Sequence, residues 1–210
     1  MNAEKRARIS RAEWFKRASL MGGAAHFILY PVFVYYAIEG GDARRAALLL
    51  FAIYLPIALA RFIWGRRASL GAITLIPLIT LGAIGLSYLL SEEGLLLATP
   101  TLINLGLLLA FGGTLFTERP MIERFARLVD PGLSQPRQKW CALWTWIWCA
   151  FFALNGIAAG LLALLDDRIY WTAYTSMISY LLMGLLFGGE VVLRYLRFGS
   201  LRERFEERPS

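Results

Sequence analysis

The residues able to do chemistry in this chain are few and scattered. Its sole histidine is His26, and its two cysteines, Cys141 and Cys149, share one apolar stretch without a C-x-x-C or Cys/His spacing. Transition-metal sites draw on clusters of His, Cys and carboxylate, so no metal site is expected, and two such thiols do not make a disulfide framework. The sequence holds no G-x-S-x-G, no phosphate-binding loop with its lysine and no H-E-x-x-H. No catalytic residue is therefore assigned, no cofactor is expected, and a protein that is not an enzyme is favoured. What remains is four polar side chains set within apolar sequence: His26, Asn104, Asn155 and Glu190.

Those four need elements to position them, and composition says what the elements are. Of 210 residues, 58% are hydrophobic and 18% charged, with a mean hydropathy of +0.53, whereas a soluble domain carries about a quarter charged residues. The apolar residues fall in uninterrupted runs of about twenty, the length that crosses ~30 Å of hydrocarbon at 1.5 Å per helical residue. The runs cover residues 20–38, 46–64, 70–90, 95–116, 140–165 and 170–193. Barrel strands are about ten residues long and alternate in polarity, so each run is a helix. The expected fold is all-α: a polytopic membrane protein with six transmembrane helices. The first run follows a basic arm, residues 1–19, but Ile38-Glu39-Gly40-Gly41 is no small-x-small cleavage site, so it reads as a retained helix rather than a signal peptide.

Charge orients the bundle. Nineteen of the 22 Lys and Arg lie in the N-terminal arm, the second connector with its flank, the connector 117–139 and the tail 194–210; only Arg44, Arg45 and Arg168 lie on the other side. The positive-inside rule then places both termini in the cytoplasm of a bacterial inner membrane. The net charge of +7 is dispersed over these short segments, so topology accounts for it and no nucleic-acid partner is expected. Trp14, Trp64 and Trp140 sit at predicted cytoplasmic edges and Trp171 at the opposite edge, where amphipathic rings anchor a helix. In the connector 117–139, Pro120 can open an amphipathic helix. Its apolar face carries Met121, Ile122, Phe125, Leu128 and Val129, and its polar face Glu123, Arg124 and Arg127. Arg119, Arg124 and Arg127 are the candidates for contact with anionic lipid or a partner protein.

Counting from the cytoplasmic helix ends puts Asn104 and Asn155 both ~20 Å deep, where they could hydrogen-bond to each other for about 0.6–2 kcal/mol of packing. His26 lies ~10 Å from its edge, and a His with a carboxylate such as Glu190 could relay a proton. Glu190 also has Arg194 four residues on, the spacing of a helical ion pair, with Arg61 a further candidate. Two roles are thus open to the four residues: packing in separate pairs, or lining one polar path. Gly184, Gly188 and Gly189, with Gly82, Gly85, Gly112 and Gly113, mark where helix backbones could approach closely.

The second half resembles the bacterial intracellular septation protein A family of inner-membrane proteins. The resemblance is carried by Arg119-Pro120-Met121-Ile122-Glu123-Arg124, by Pro136 ahead of Trp140, and by Thr145-Trp146-Ile147-Trp148-Cys149-Ala150-Phe151-Phe152. It covers roughly residues 117–165, with Thr at position 145 where the family often has Asn. The stretch Ser179–Glu190 is similar to a related group of membrane proteins encoded beside aryl-polyene and fatty-acid-type biosynthetic genes. The resemblance implies a non-enzymatic envelope factor, in the septation branch one that contacts division and elongation machinery. The partners expected of such a protein are the lipid bilayer, envelope or lipid-pathway membrane proteins, and a second copy of the chain in a homo-oligomer. The alternative is a small carrier or flippase for a lipid-like or polyene-type product, with His26, Asn104, Asn155 and Glu190 along its path.

Overall fold

The computed structural model describes residues 76–90, 93–165 and 167–199, with positions 32, 35, 36, 44, 47–52 and 55. The arm 1–19, His26, Arg61, Trp14, Trp64 and most of the first two expected spans lie outside them. The described chain is helical, without strands: α1 (Ile76–Leu90), α2 (Glu93–Leu115), α3 (Met121–Arg127), α4 (Gln135–Leu164), α5 (Arg168–Ala173) and α6 (Ser179–Phe198). A π-turn, Tyr174–Ile178, joins α5 to α6 as one continuous rod. Among the described residues three helical stretches, Gly94–Leu115, Gln135–Leu164 and Arg168–Phe198, are long and apolar enough to cross a membrane.

Helices outlast the apolar runs at their polar ends. The α4 helix begins five residues before the expected Trp140, because Pro136 stands in its first turn, where a missing N–H is no loss. The connector 117–139 is accordingly shorter than its charge pattern suggests. The last helix continues beyond the expected Leu193 to Phe198 and stops at Gly199, whose φ of 68° lies in the left-handed region. At its start, Asp167 caps α5 by accepting from Tyr170 N at 3.2 Å.

The connector helix α3 does not lie free on the surface. Met121 is buried in the core, and Ile122 and Phe125 pack against it, while Leu128 and Val129 are exposed. Glu123, expected on the polar face, is buried and accepts from Arg127 Nε at 2.7 Å. Two orphan amides of this short helix are capped from the neighbouring helices. Met121 N donates to Thr114 Oγ1 at 2.8 Å and Ile122 N to Thr145 Oγ1 at 3.2 Å. Both hydroxyls pass their own protons to backbone carbonyls, of Phe111 and Cys141. Thr145 thus pins α3 to α4.

The central pair is α2 against α4, and α1 also packs against α2. Gly156 and Gly160 of α4 let it approach: a Cβ at Gly156 would stand 3.0 Å from Asn104 Cβ, and one at Gly160 3.3 Å from Thr101 Oγ1. Of the expected glycines, a Cβ at Gly112 would make ordinary contact with Cys149 Sγ at 3.9 Å, whereas one at Gly82, Gly85, Gly113, Gly184, Gly188 or Gly189 would meet nothing within 4 Å among the described residues. The close approach belongs to a G-x-x-x-G pair in the middle of the protein rather than to the last helix. Two apolar clusters flank it. One holds Leu50, Leu81, Ile84, Leu96, Leu97 and Trp171; the other holds Ala110, Phe111, Met121, Trp148, Cys149 and Phe152. Trp171, expected at the membrane edge, is 1% exposed and donates its indole N–H to Leu97 O at 3.2 Å. It locks helices together instead of anchoring to headgroups.

Candidate functional site

Between the two apolar clusters lies one polar layer, reached on α2 at Asn104, on α4 at Asn155 and on the last rod at Tyr174. Asn155 Nδ2 donates to Asn104 Oδ1 at 3.1 Å. Tyr174 Oη donates to Asn155 Oδ1 at 2.9 Å. Asn104 Nδ2 donates to Pro100 O, one turn back on its own helix, at 2.8 Å. Beside them Thr101 Oγ1 donates to Gly156 O at 3.2 Å, a bond only a close backbone permits.

The amide orientations follow from that order. The Pro100 carbonyl accepts only, so it must face Asn104 Nδ2; this turns Asn104 Oδ1 to Asn155 Nδ2 and leaves Asn155 Oδ1 for the phenol. Every side-chain polar atom of the two amides has a partner, and the bonds run head to tail from Tyr174 to Pro100, so each polarises the next. The layer contains no carboxylate, imidazole or thiol. Its chemistry is that of a register lock, because an unmatched amide in a dry interior is costly.

The other named residues are elsewhere. Glu190 is buried on α6, 16 residues from Tyr174 along one rod, hence ~24 Å away. Arg194 Nε stands 3.6 Å from Glu190 Oε1, close enough for ionic attraction but without a hydrogen bond. The amide layer and Glu190 therefore share no path among the described residues. Arg119, Arg124 and Arg127 line an open cavity of about 600 Å³ with Thr117, Glu118 and Leu128. Two of them are engaged within the chain: Arg124 Nε with Arg119 O at 2.9 Å, and Arg127 with Glu123 and with Pro131 O at 2.8 Å. Arg137, which drew no attention in the sequence, is buried and paired with Asp130 at 3.1 Å. Cys141 and Cys149 are both buried free thiols.

Tyr174, Thr101 and Gly156 are the site residues that sequence reasoning missed. Gly156-x-x-x-Gly160 was a readable signal; Tyr174 was not, because a tyrosine inside an apolar run looks like any other large apolar residue.

These features define a helical integral membrane protein whose deep polar groups bind its own helices together. The chain is similar to the inner membrane-spanning protein YciB of Hydrogenovibrio crunogenus (strain DSM 25203 / XCL-2), with 27% identity over 189 residues, covering 86% of this chain and 84% of that protein. The septation-family resemblance, first read over residues 117–165, thus extends along most of the chain. No family model matches the chain, and no solved structure matches it.

Proposed function

We propose that this protein is a non-enzymatic accessory or scaffold protein of the bacterial inner membrane, serving cell-envelope biogenesis through contacts with the bilayer and with other envelope or lipid-pathway membrane proteins. In this reading it has six transmembrane helices and both termini in the cytoplasm. One observation supports it: Asn104, Asn155 and Tyr174 satisfy one another between helices, so these side chains are taken up by packing rather than held open for a substrate. The relative's name, an inner membrane-spanning protein, supports the location.

The test is photo-crosslinking in intact cells from exposed apolar positions such as Leu109, Leu154 and Leu185. Reproducible adducts with envelope or lipid-pathway membrane proteins, together with an envelope defect in a deletion strain, are the expected result. No adducts and an intact envelope would sink the reading. Transport by proteoliposomes that is abolished when Asn104 and Asn155 become Leu would replace it with a carrier.

A further inference from the structure

The end of the bundle that carries Arg194 and Arg197 holds buried polar atoms that the register lock does not use. The indole nitrogens of Trp140 and Trp144, and Glu190 Oε1, are buried without a hydrogen-bond partner among the described residues. Trp144 and Glu190 are 5% and 6% exposed, so solvent does not satisfy them, and each such group left alone is unfavourable.

Ring contacts bring the two indoles and the end of α6 to one seam. Trp140 on α4 meets Phe198 on α6 edge-on at 5.7 Å, and Trp140 meets Trp144 at 5.9 Å. The two helices run in opposite directions, so one turn inward from this contact Trp144 stands level with Arg194, and Glu190 lies one turn deeper. Arg197 lies over the Trp140 and Phe198 rings, its guanidinium carbon 5.3 and 5.7 Å from their centroids. A guanidinium stacked on rings keeps its N–H edge for an oxyanion.

The unmatched groups are of opposite kinds. The indole N–H groups lack an acceptor and the carboxylate oxygen lacks a donor, and the exposed Arg197 guanidinium beside the indoles adds a second place for an oxyanion. A simple anion would satisfy the first set and be repelled by Glu190. A simple cation would satisfy Glu190 and be repelled by Arg194 and Arg197. A group with an oxyanion and a primary ammonium a few bonds apart satisfies both, with the phosphate toward Trp144 and Arg197 and the ammonium toward Glu190. We infer that this seam binds a phosphoethanolamine group. A choline analogue keeps the charges but has no N–H to give the carboxylate, and a glycerol headgroup has no cation, so both are poorer ligands.

Native mass spectrometry of the full chain in detergent, with phosphatidylethanolamine, phosphatidylcholine and phosphatidylglycerol in equal amounts, tests this. Phosphatidylethanolamine should be retained about tenfold over the other two, the scale of one charge-assisted hydrogen bond. Glu190→Gln should erase that preference, whereas Trp144→Phe, which keeps the ring, should weaken all phosphate-bearing ligands alike. Adding soluble glycerophosphoethanolamine separates the sources: displacement of the lipid assigns a free metabolite, and undiminished lipid retention assigns the membrane. In the wild-type chain labelled with ¹⁵N-tryptophan, the indole resonance of Trp144 should move on adding phosphatidylethanolamine, a reading that no variant's folding affects. Equal retention of the ethanolamine and choline lipids, an unchanged ratio in Glu190→Gln, or an unmoved indole resonance would each overturn the assignment.

Discussion

Asn155 stands between two hydrogen-bond partners, and its removal strands both. Asn155→Leu leaves Asn104 Oδ1 without a donor and the Tyr174 hydroxyl without an acceptor, and should cost about 2 kcal/mol of stability in detergent. Tyr174→Phe breaks only the outer bond and should cost about 1 kcal/mol. Pairing Asn104→Leu with Asn155→Leu should recover part of the summed loss, since neither amide is then left alone. Thermal unfolding of the four-member cycle reads this, and strict additivity would defeat the lock. The amides were legible in the sequence because depth is simple arithmetic from helix ends. Their third partner was not, because it depends on how the last rod is rotated about its axis, which a count of residues does not give.

At the scale of the element, the same small-residue spacing occurs at Gly156/Gly160 and at Gly184/Gly188, and only packing tells them apart. Gly156→Val puts methyl groups where Asn104 Cβ already stands at 3.0 Å from any Cβ. It should destabilise by about 1–3 kcal/mol, as overpacking does. Gly188→Ala meets open space and should shift stability by no more than about 0.5 kcal/mol. Equal effects of the two substitutions in a melting assay would show that the wrong strip has been taken for the contact. The π-turn was equally illegible. There Thr175 Oγ1 donates to Trp171 O at 2.7 Å and Ser176 Oγ to Thr172 O at 2.6 Å, hydroxyls bonding back to carbonyls where the helix ladder is widened. Nothing in a hydropathy run marks that. Helix existence, by contrast, was plain in the runs 95–116, 140–165 and 170–193, and the start of the second and the end of the third slipped outward because Pro136, Arg194 and Arg197 are polar-end residues that a helix accepts.

For the whole molecule, the charge asymmetry makes a sharp statement about sidedness. Reporters fused after Ser210 and near Pro131 should read cytoplasmic, and those near Asp42, Glu92 and Asp167 periplasmic; one reversed reading would require a different helix count. The amide layer also has a history as well as a geometry. The ribosome delivers Asn104 first, then Asn155, then Tyr174, and each newcomer answers the acceptor its predecessor left open. A nascent chain halted after Leu165 leaves Asn155 Oδ1 without its donor, an unmet acceptor that marks unfinished synthesis. Truncation at that point should shorten the cellular half-life of the fragment, and Asn104→Leu together with Asn155→Leu, which leaves neither amide alone, should lengthen it again, whereas the same pair destabilises the complete chain.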